Sequence, residues 1–571
     1  MNASLIVEIA MEIALTPELL DRLGSEASPV VARHAAMSTS VGGIGPLLRE
    51  RIIGLAGLEQ QVIGVTLLYD QVWIQRWQPW GQLYLEKVNI GHYVKSVLSR
   101  ERDLTVRMYD GTSVPVTVWK ASYGAASVYF LESPDITSVV YPGVEDAPPE
   151  TTNKTVWYED LRIRQSWLLG RGSLALVKSM QLRPAVIVLS ETPTMFGWHA
   201  LVNDEYKELE HCKNTRYVFN DHTPLEYAHP VWSIQRLKKL KIDPVFYSKL
   251  PRVGQGNDTV DITQMLVAGV DQVYGVAQIH GRVMRAMETL KPYGDKITTI
   301  TNGVSIAFWQ NPKYMNAEQL SDEELLQIKH EEKIRLIDWI WRRYKLSFSW
   351  KEEAVHKPII LWTRRITGYK RLDILTETVK QTHYRRRLVQ SDVMILLGGR
   401  IHQQDGLSKL VVFELLDILN EHDDIGNRIT MLDNYNIWEA PNLFRGIDAT
   451  IMMSDQGKEA SATGFMKAQV NGGLVIATRD GAIPETVLFQ GGSDHRQSNG
   501  FEIAYVNGSP SPETFLKAIE LFSQTYKDPA ARVRMMRSSI SMAPRISVER
   551  TAREMVALFN KGKTVVEEVK S

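Results

Sequence analysis

One cysteine, Cys212, occurs in 571 residues. A disulfide within the chain is therefore excluded, and the composition suits a reducing cytoplasm. Net charge is missing too, because 66 Lys plus Arg are matched by 66 Asp plus Glu. A chain with no excess of either sign has no general attraction for nucleic acid or an anionic membrane, so any phosphate site must be local. Long apolar runs are also lacking. The stretch Met1 to Leu20 is fairly apolar, but it carries Glu8, Glu12 and Glu18 and no Lys or Arg. It has neither the basic lead of a signal peptide nor the length of a membrane span. No HExxH, GxSxG or clustered Cys/His motif is found, which argues against serine esterase chemistry and zinc hydrolysis, and no metal is expected. Repeats and low-complexity tracts are absent.

What is present is a globular composition, 44% hydrophobic and 23% charged, in a chain too long for one ordinary core. Short apolar runs rich in Val, Ile and Leu recur between helical patterns. In the first half they are Ser4 to Ala10, Val62 to Leu68, Ala185 to Leu189, Arg216 to Phe219 and Gln272 to Val276. A second series runs through Pro358 to Trp362, Val393 to Leu397, Ile429 to Leu432, Ala449 to Met453 and Leu474 to Ala477. Strand–helix alternation of this kind predicts parallel sheets covered by helices. Between Leu104 and Glu132, turns at Asp110-Gly111 and Tyr123-Gly124 predict antiparallel hairpins inserted in the first domain. The charged, glycine-free stretch Asp322 to Tyr344 reads as a helical link. The expected architecture is α/β, two Rossmann-like domains facing across a cleft. The first spans 1–320, the link 321–345, and the second 346–571 with a carboxyl-terminal helix.

Four segments could carry chemistry. Glu459 to Lys467 places small residues at Ala460 to Gly464 before a helix, with Lys467 one turn in. Amides there could cradle an anion, and a lysine beside a phosphate cradle suits covalent attachment of pyridoxal phosphate. A small-residue turn followed by a surface lysine fits the same letters. Arg364, Arg365, Lys370 and Arg371 follow the strand ending at Trp362, where cations could clamp an oxyanion; a solvated basic helix start is the alternative. Gly42-Gly43-Ile44-Gly45 precedes a helix in the first domain and could receive phosphate or sugar oxygens, or simply make a turn. His222 ends the strand Arg216 to Phe219, where ligands sit in such sheets. Asn302 and Trp309, read singly, fit a turn and a buried aromatic.

Taken in order, these segments resemble the glycogen and α-glucan phosphorylase family, in its short bacterial and archaeal form. Glu459 to Lys467, with Asn471-Gly472 and Asp480-Gly481-Ala482, is similar to the family's pyridoxal-phosphate lysine segment, and Arg365 to Arg371 to its phosphate segment. Leu161 to Gln165 with Leu168-Leu169-Gly170, His222-Thr223-Pro224, Val276 to His280, and Ile300 to Val304 with Trp309 extend the match from about Glu12 to about Glu485. The resemblance implies a GT-B glycosyltransferase fold and a hexosyltransferase of the cytoplasm. Such an enzyme would release glucose 1-phosphate from α-glucan or maltooligosaccharide ends with inorganic phosphate and with retention. It implies pyridoxal 5'-phosphate on Lys467, with Thr463, Gly464 and Arg364 on the cofactor phosphate and Trp309 walling its pocket. Arg365, Lys370 and the amide of Gly43 would grip the substrate phosphate. His222, Asn302, Glu459 and Ser461 would bind glucosyl hydroxyls, and Asn203-Asp204 is similar to the acidic loop near the acceptor.

The sequence departs from that pattern at Ala462, where glycine is usual, and at Phe465, where asparagine or glycine is common. It departs again at Thr367, where the larger enzymes have histidine, and at Tyr206 after Asn203-Asp204. The long amino-terminal regulatory region of the animal enzymes is missing, so their allosteric control is not expected. A homodimer is compatible with the resemblance. Two other functions fit the same fold: a sugar-nucleotide-dependent glycosyltransferase, against which the lysine segment argues, and a glucan-binding relative without activity.

Overall fold

Ile6, Val7 and Ile9 are all buried, which places the strand Leu5–Ile9 inside a sheet instead of at its edge. In the computed structural model it pairs in parallel with Gln61–Leu67 on one side and Pro184–Ser190 on the other. Residues 4–77, 83–203, 206, 209, 212–223, 225, 229–253, 258–490 and 497–561 are described.

Contacts divide the chain into two units. The first comprises residues 1–72, 88–301 and 549–571. Its nine-stranded sheet continues from Pro184–Ser190 through Arg216–Asn220, Gln272–Gly275 and Ile297–Thr299, each parallel to its neighbour. On the other side Gln61–Leu67 pairs in parallel with Ala126–Glu132. The predicted hairpins are there, as Ser99–Arg107, Ser113–Tyr123 and Ala126–Glu132, but they extend the main sheet and do not stand apart from it. Helices Lys154–Ser179 and Met195–Asn203 supply Leu168, Leu169, Phe196 and Trp198 to the core against Ile187, Leu189 and Phe219.

The second unit comprises residues 73–87 and 302–548. It has a six-stranded sheet built from Ile359–Thr363, Met394–Gly398, Ile429–Leu432, Ala449–Met452, Leu474–Ala477 and Gly500–Glu502, parallel throughout. Five of these strands lie where short, largely apolar runs predict them. Gly500–Glu502 carries too little apolar sequence to be seen.

The division falls at 301/302, so residues 302–320, expected with the first half, lie in the second unit. Two contacts account for this: Val304 pairs with Ser547, and Gln310 and Asn311 hydrogen-bond Val470 and Asn471. The link is a helix, Asp322–Tyr344, started by a Ser321/Glu324 capping box. The last helix, Val548–Asn560, was expected on the second domain, yet residues 549–571 group with the first unit. There Phe559 O accepts from Arg216 (2.6 Å), and Thr551 Oγ1 donates to Thr301 O (3.0 Å). Among the described residues no helix is long and apolar enough to cross a membrane.

Candidate active site

Three adjacent parallel strands of the second unit, Ile359–Thr363, Ala449–Met452 and Leu474–Ala477, end side by side. Their carboxyl ends carry Arg364, the loop from Met453 to Ser461, and Thr478 to Gly481. Sheet geometry therefore gathers residues from three separate stretches of sequence at one edge, where ligands bind in open α/β folds.

Arg364 is 7% exposed. Its guanidinium donates to Met453 O and to Glu459 Oε2. Burial lowers its pKa to about 10, so it stays charged at neutral pH. Lys370 Nζ lies 3.3 Å from the same Glu459 oxygen. Burial, followed by repulsion from Arg364 and Arg365, holds the Lys370 pKa well below the usual lysine value. Arg365 is exposed. Arg371 turns away, its guanidinium held by Asp373 and Asp455 (both 2.8 Å). The basic cluster thus separates into a buried pair on Glu459 and an outward arginine.

Asp480 fixes the loop that bears Glu459. Its Oδ2 accepts from the amides of Lys458 and Glu459, both at 2.9 Å, and its Oδ1 accepts from Gly481 N at 2.9 Å. Burial raises its pKa to about 6 against those hydrogen bonds. At Gly481 φ is +56, and a Cβ would lie 3.0 Å from Ser461 O, so a side chain there would push against the loop. Ser461 is 4% exposed, and its Oγ is buried without a hydrogen-bond partner in the structure. A buried hydroxyl of that kind is a ready contact for a polar ligand.

Lys467 sits in the helix Gly464–Gln469, which Thr463 precedes at the N-cap. Its Nζ lies 4.1 Å from the centre of the Trp309 ring and 5.8 Å from that of Phe444. Trp309 is fully buried and meets Phe444 edge-on, with centroids 5.6 Å apart. Asn471 Nδ2 donates to Trp309 O and to Lys467 O, both at 2.9 Å. The lysine therefore stands in an aromatic corner whose backbone is tied to its own helix. Phe465 is fully buried beside it in sequence, and Ala462 takes a left-handed φ of +67. Where this sequence has alanine, glycine would adopt that φ without strain.

Asn302, in the second unit, is 4% exposed. Gly43 and His222 belong to the first unit. Gly43 is exposed at the N-cap of Ile44–Gly57. The His222 amide donates to Glu191 Oε1 (2.9 Å), and its Nε2 is buried without a partner in the structure. Burial, then the Arg51 charge, lowers the His222 pKa to about 3, so the ring is neutral. Asp204 lies outside the described residues. Tyr206 is described and buried, with Lys178 Nζ 5.8 Å from its ring centre. Thr367 precedes the turn Gly368–Lys370. Among the described residues no group of three or more His, Cys, Asp or Glu could hold a metal.

Phe444 was not singled out by sequence. It contacts Lys467 only through folding, and one aromatic in a short helix carries no local signal.

The fold places the chain among α/β proteins of the GT-B type. It superposes with a TM-score of 0.71 on the catalytic domain of starch synthase IV from Arabidopsis thaliana bound to ADP and acarbose, at 16% identity, covering 98% of this chain and 99% of that one. Residues 310–495, which include both segments of this site, match the carbohydrate phosphorylase family. It is 25% identical over 458 residues to the maltodextrin phosphorylase of Thermococcus litoralis, covering 70% of this chain but only 54% of that protein. It is 23% identical over 520 residues to the glycogen phosphorylase of Aquifex aeolicus, covering 80% of this chain and 73% of the relative. An uncharacterized protein of Methanocaldococcus jannaschii is 23% identical over 476 residues, with 79% and 83% covered.

Proposed function

We propose that the protein is an α-glucan phosphorylase that carries pyridoxal 5'-phosphate on Lys467 and releases glucose 1-phosphate with retention. The observation that carries this reading is the pairing of two features in one small region. A lysine in an aromatic corner and a buried arginine–lysine pair flank the same small-residue loop, 459–464.

The residues suit the cofactor. Trp309 gives a flat apolar wall for a pyridine ring beside Lys467 Nζ. Thr463 and Gly464 begin the helix that bears Lys467, where amides favour a phosphate, and Arg364 adds a fixed charge. When bound, pyridoxal phosphate supplies a phosphate group able to exchange a proton with the substrate phosphate. Phosphates brought together repel strongly in a shielded site, so cations are needed at that point. Arg364, Lys370 and Arg365 meet that need in the second unit. Glu459, Asn302 and Ser461 Oγ are assigned to glucosyl hydroxyls. In the first unit, His222 is assigned to a glucosyl hydroxyl, the Gly43 amide to phosphate and Asp204 to the acceptor.

The test is direct. Purified protein loaded with pyridoxal phosphate and reduced with borohydride should carry a phosphopyridoxyl group on the Lys467 peptide. With a maltooligosaccharide and phosphate it should form glucose 1-phosphate, and it should run backwards from glucose 1-phosphate. Turnover of a sugar nucleotide with none of glucose 1-phosphate would overturn the proposal. Glucan binding without turnover at full cofactor occupancy would do so as well.

A further inference from the structure

The helix Asp322–Tyr344 buries Leu325, Ile328, Leu336, Ile337 and Ile340 on one stripe, and Lys329 and Lys333 lie on that stripe among them. A lysine on a buried face needs a reason, because its ammonium loses water there. Lys333 finds Asp448 Oδ2 at 3.3 Å. Lys329, 5% exposed, has no carboxylate within ion-pair distance among the described residues. Its Nζ donates to two backbone carbonyls, Asn471 O at 3.1 Å and Arg445 O at 3.4 Å. Asn471 follows the Lys467 helix and holds Trp309 O through its side chain. Arg445 follows Phe444, the second ring beside Lys467, in the helix Ala440–Gly446, and its own guanidinium donates to Phe308 O at 3.2 Å. One ammonium therefore joins the backbone of Asn471, whose side chain holds Trp309 O, to that of Arg445, the neighbour of Phe444.

The approach of the two helices is fixed by Gly446, where a Cβ would lie 2.4 Å from Leu336 Cβ and 2.7 Å from Glu332 O. The link helix cannot shift away from this contact without opening a void, so Lys329 is presented to the two carbonyls in one position. Burial lowers the Lys329 pKa to about 8; Asp448 and Glu332 raise it, and Lys333 and Arg532 lower it. Keeping an ammonium in this environment costs stability, which suits a role other than holding the fold together.

We propose that Lys329 is a positioning residue for Lys467, acting through Asn471 and Arg445 on the Trp309 and Phe444 rings that flank the cofactor lysine. The inference rests on the reading of Lys467 as that lysine. Lys329→Met keeps the length and apolar stem of the side chain and removes the donor. Charge-assisted hydrogen bonds to buried carbonyls are strong, so the variant should bind pyridoxal phosphate on the order of tenfold more weakly. The absorption maximum of the bound cofactor should shift, and the amides of 464–471 should exchange faster. The melting temperature of the cofactor-free protein should be unchanged or higher.

Wild-type affinity and spectrum in Lys329→Met would overturn the inference while leaving the cofactor reading intact. Should Lys329→Met fail to fold, Asn471→Ala breaks the same chain one step further on. Weakened cofactor binding in that variant supports the inference, and unchanged binding rejects it. Wild-type protein with no borohydride-trapped group on Lys467 would remove both the inference and the reading beneath it.

Discussion

The Glu459 carboxylate and the Arg364 guanidinium form an ion pair in which the side chains are only 6% and 4% exposed. Lys370 shares the same carboxylate oxygen. Burial lowers the pKa of both basic groups, and repulsion from Arg364 adds to the effect at Lys370, so their charged forms are disfavoured beside the loop 459–464. Such an arrangement is costly unless an anion completes it, and a phosphate is the anion that the proposed reaction brings.

Glu459→Gln should therefore leave Arg364 and Lys370 without their counter-charge. Removing one partner of a buried pair typically costs about 3 kcal/mol or more, which a denaturant titration would read. Added inorganic phosphate should recover more stability in this variant than in the wild type, because a ligand that binds only the folded form stabilises by mass action. A phosphate response no larger than that of the wild type would refute the account.

Ala462 sits at φ +67, where an L-residue costs about 1–2 kcal/mol relative to the right-handed region. Ala462→Gly relieves that strain and gives back roughly 0.4–1 kcal/mol through greater freedom of the unfolded chain. The net effect should run from neutrality to about 1.6 kcal/mol of added stability. Ala462→Val, forced into the same conformation, should lose more than about 1 kcal/mol. The two variants compared by thermal unfolding separate backbone strain from side-chain packing.

His222 links stability to pH. Its folded pKa is lowered to about 3 by burial and then by Arg51, while the unfolded value is near 6.5. Between those values the unfolded chain binds more protons than the folded one. Stability therefore rises with pH through this window, and it is lost as pH falls from about 6.5 towards 3. His199, lowered to about 3 by burial and Arg171, acts with the same sign. Asp480, raised to about 6, acts oppositely, because its folded form takes up a proton first on acidification. His222→Asn should reduce the slope of stability against pH below 6.5 by about one proton. An unchanged slope would show that the ring is not buried neutral.

The positions of the strands were legible because each central strand of a parallel sheet is a short run buried on both faces, as Ile359 to Trp362 and Leu474 to Ala477 are. The lysine loop and the basic segment were legible as motifs. What joins them was not. The Asp480 carboxylate reaches the Glu459 amide across 21 positions, and the Asn471 side chain reaches Trp309 O across 162. Hydrophobic periodicity reports which face of an element is covered and says nothing of which distant residue covers it. Lys329 did leave a trace, as a lysine at an apolar position of the stripe Leu325, Ile328, Leu336. The return of the last helix to the first unit left none, since an amphipathic helix carries no address for its partner.

The division of the basic segment gives a final, contrasting pair of variants. Lys370 Nζ shares Glu459 with Arg364, whereas Arg371 is bound to Asp373 and Asp455. Both lie in one stretch of sequence, and alanine removes one positive charge from either. Charge near phosphate, counted along the sequence, would make them equivalent. The geometry makes them different. Lys370→Ala takes away a cation that faces the small-residue loop in a shielded site, and losing such a contact costs on the order of a hundredfold in turnover. The apparent affinity for phosphate should fall with it, and the affinity for glucan should stay near the wild-type value. Arg371→Ala strands two partly exposed carboxylates, Asp373 in the helix Leu372–Lys380 and Asp455 in the loop that follows Ala449–Met452. It should lower the melting temperature while leaving phosphate affinity near the wild-type value. Initial rates in the phosphorolysis direction, with phosphate and maltooligosaccharide varied in turn, read both effects in one experiment. Equal losses of phosphate affinity in the two variants would mean that the segment acts by overall charge, and the assignment of Lys370 to the substrate phosphate would fall.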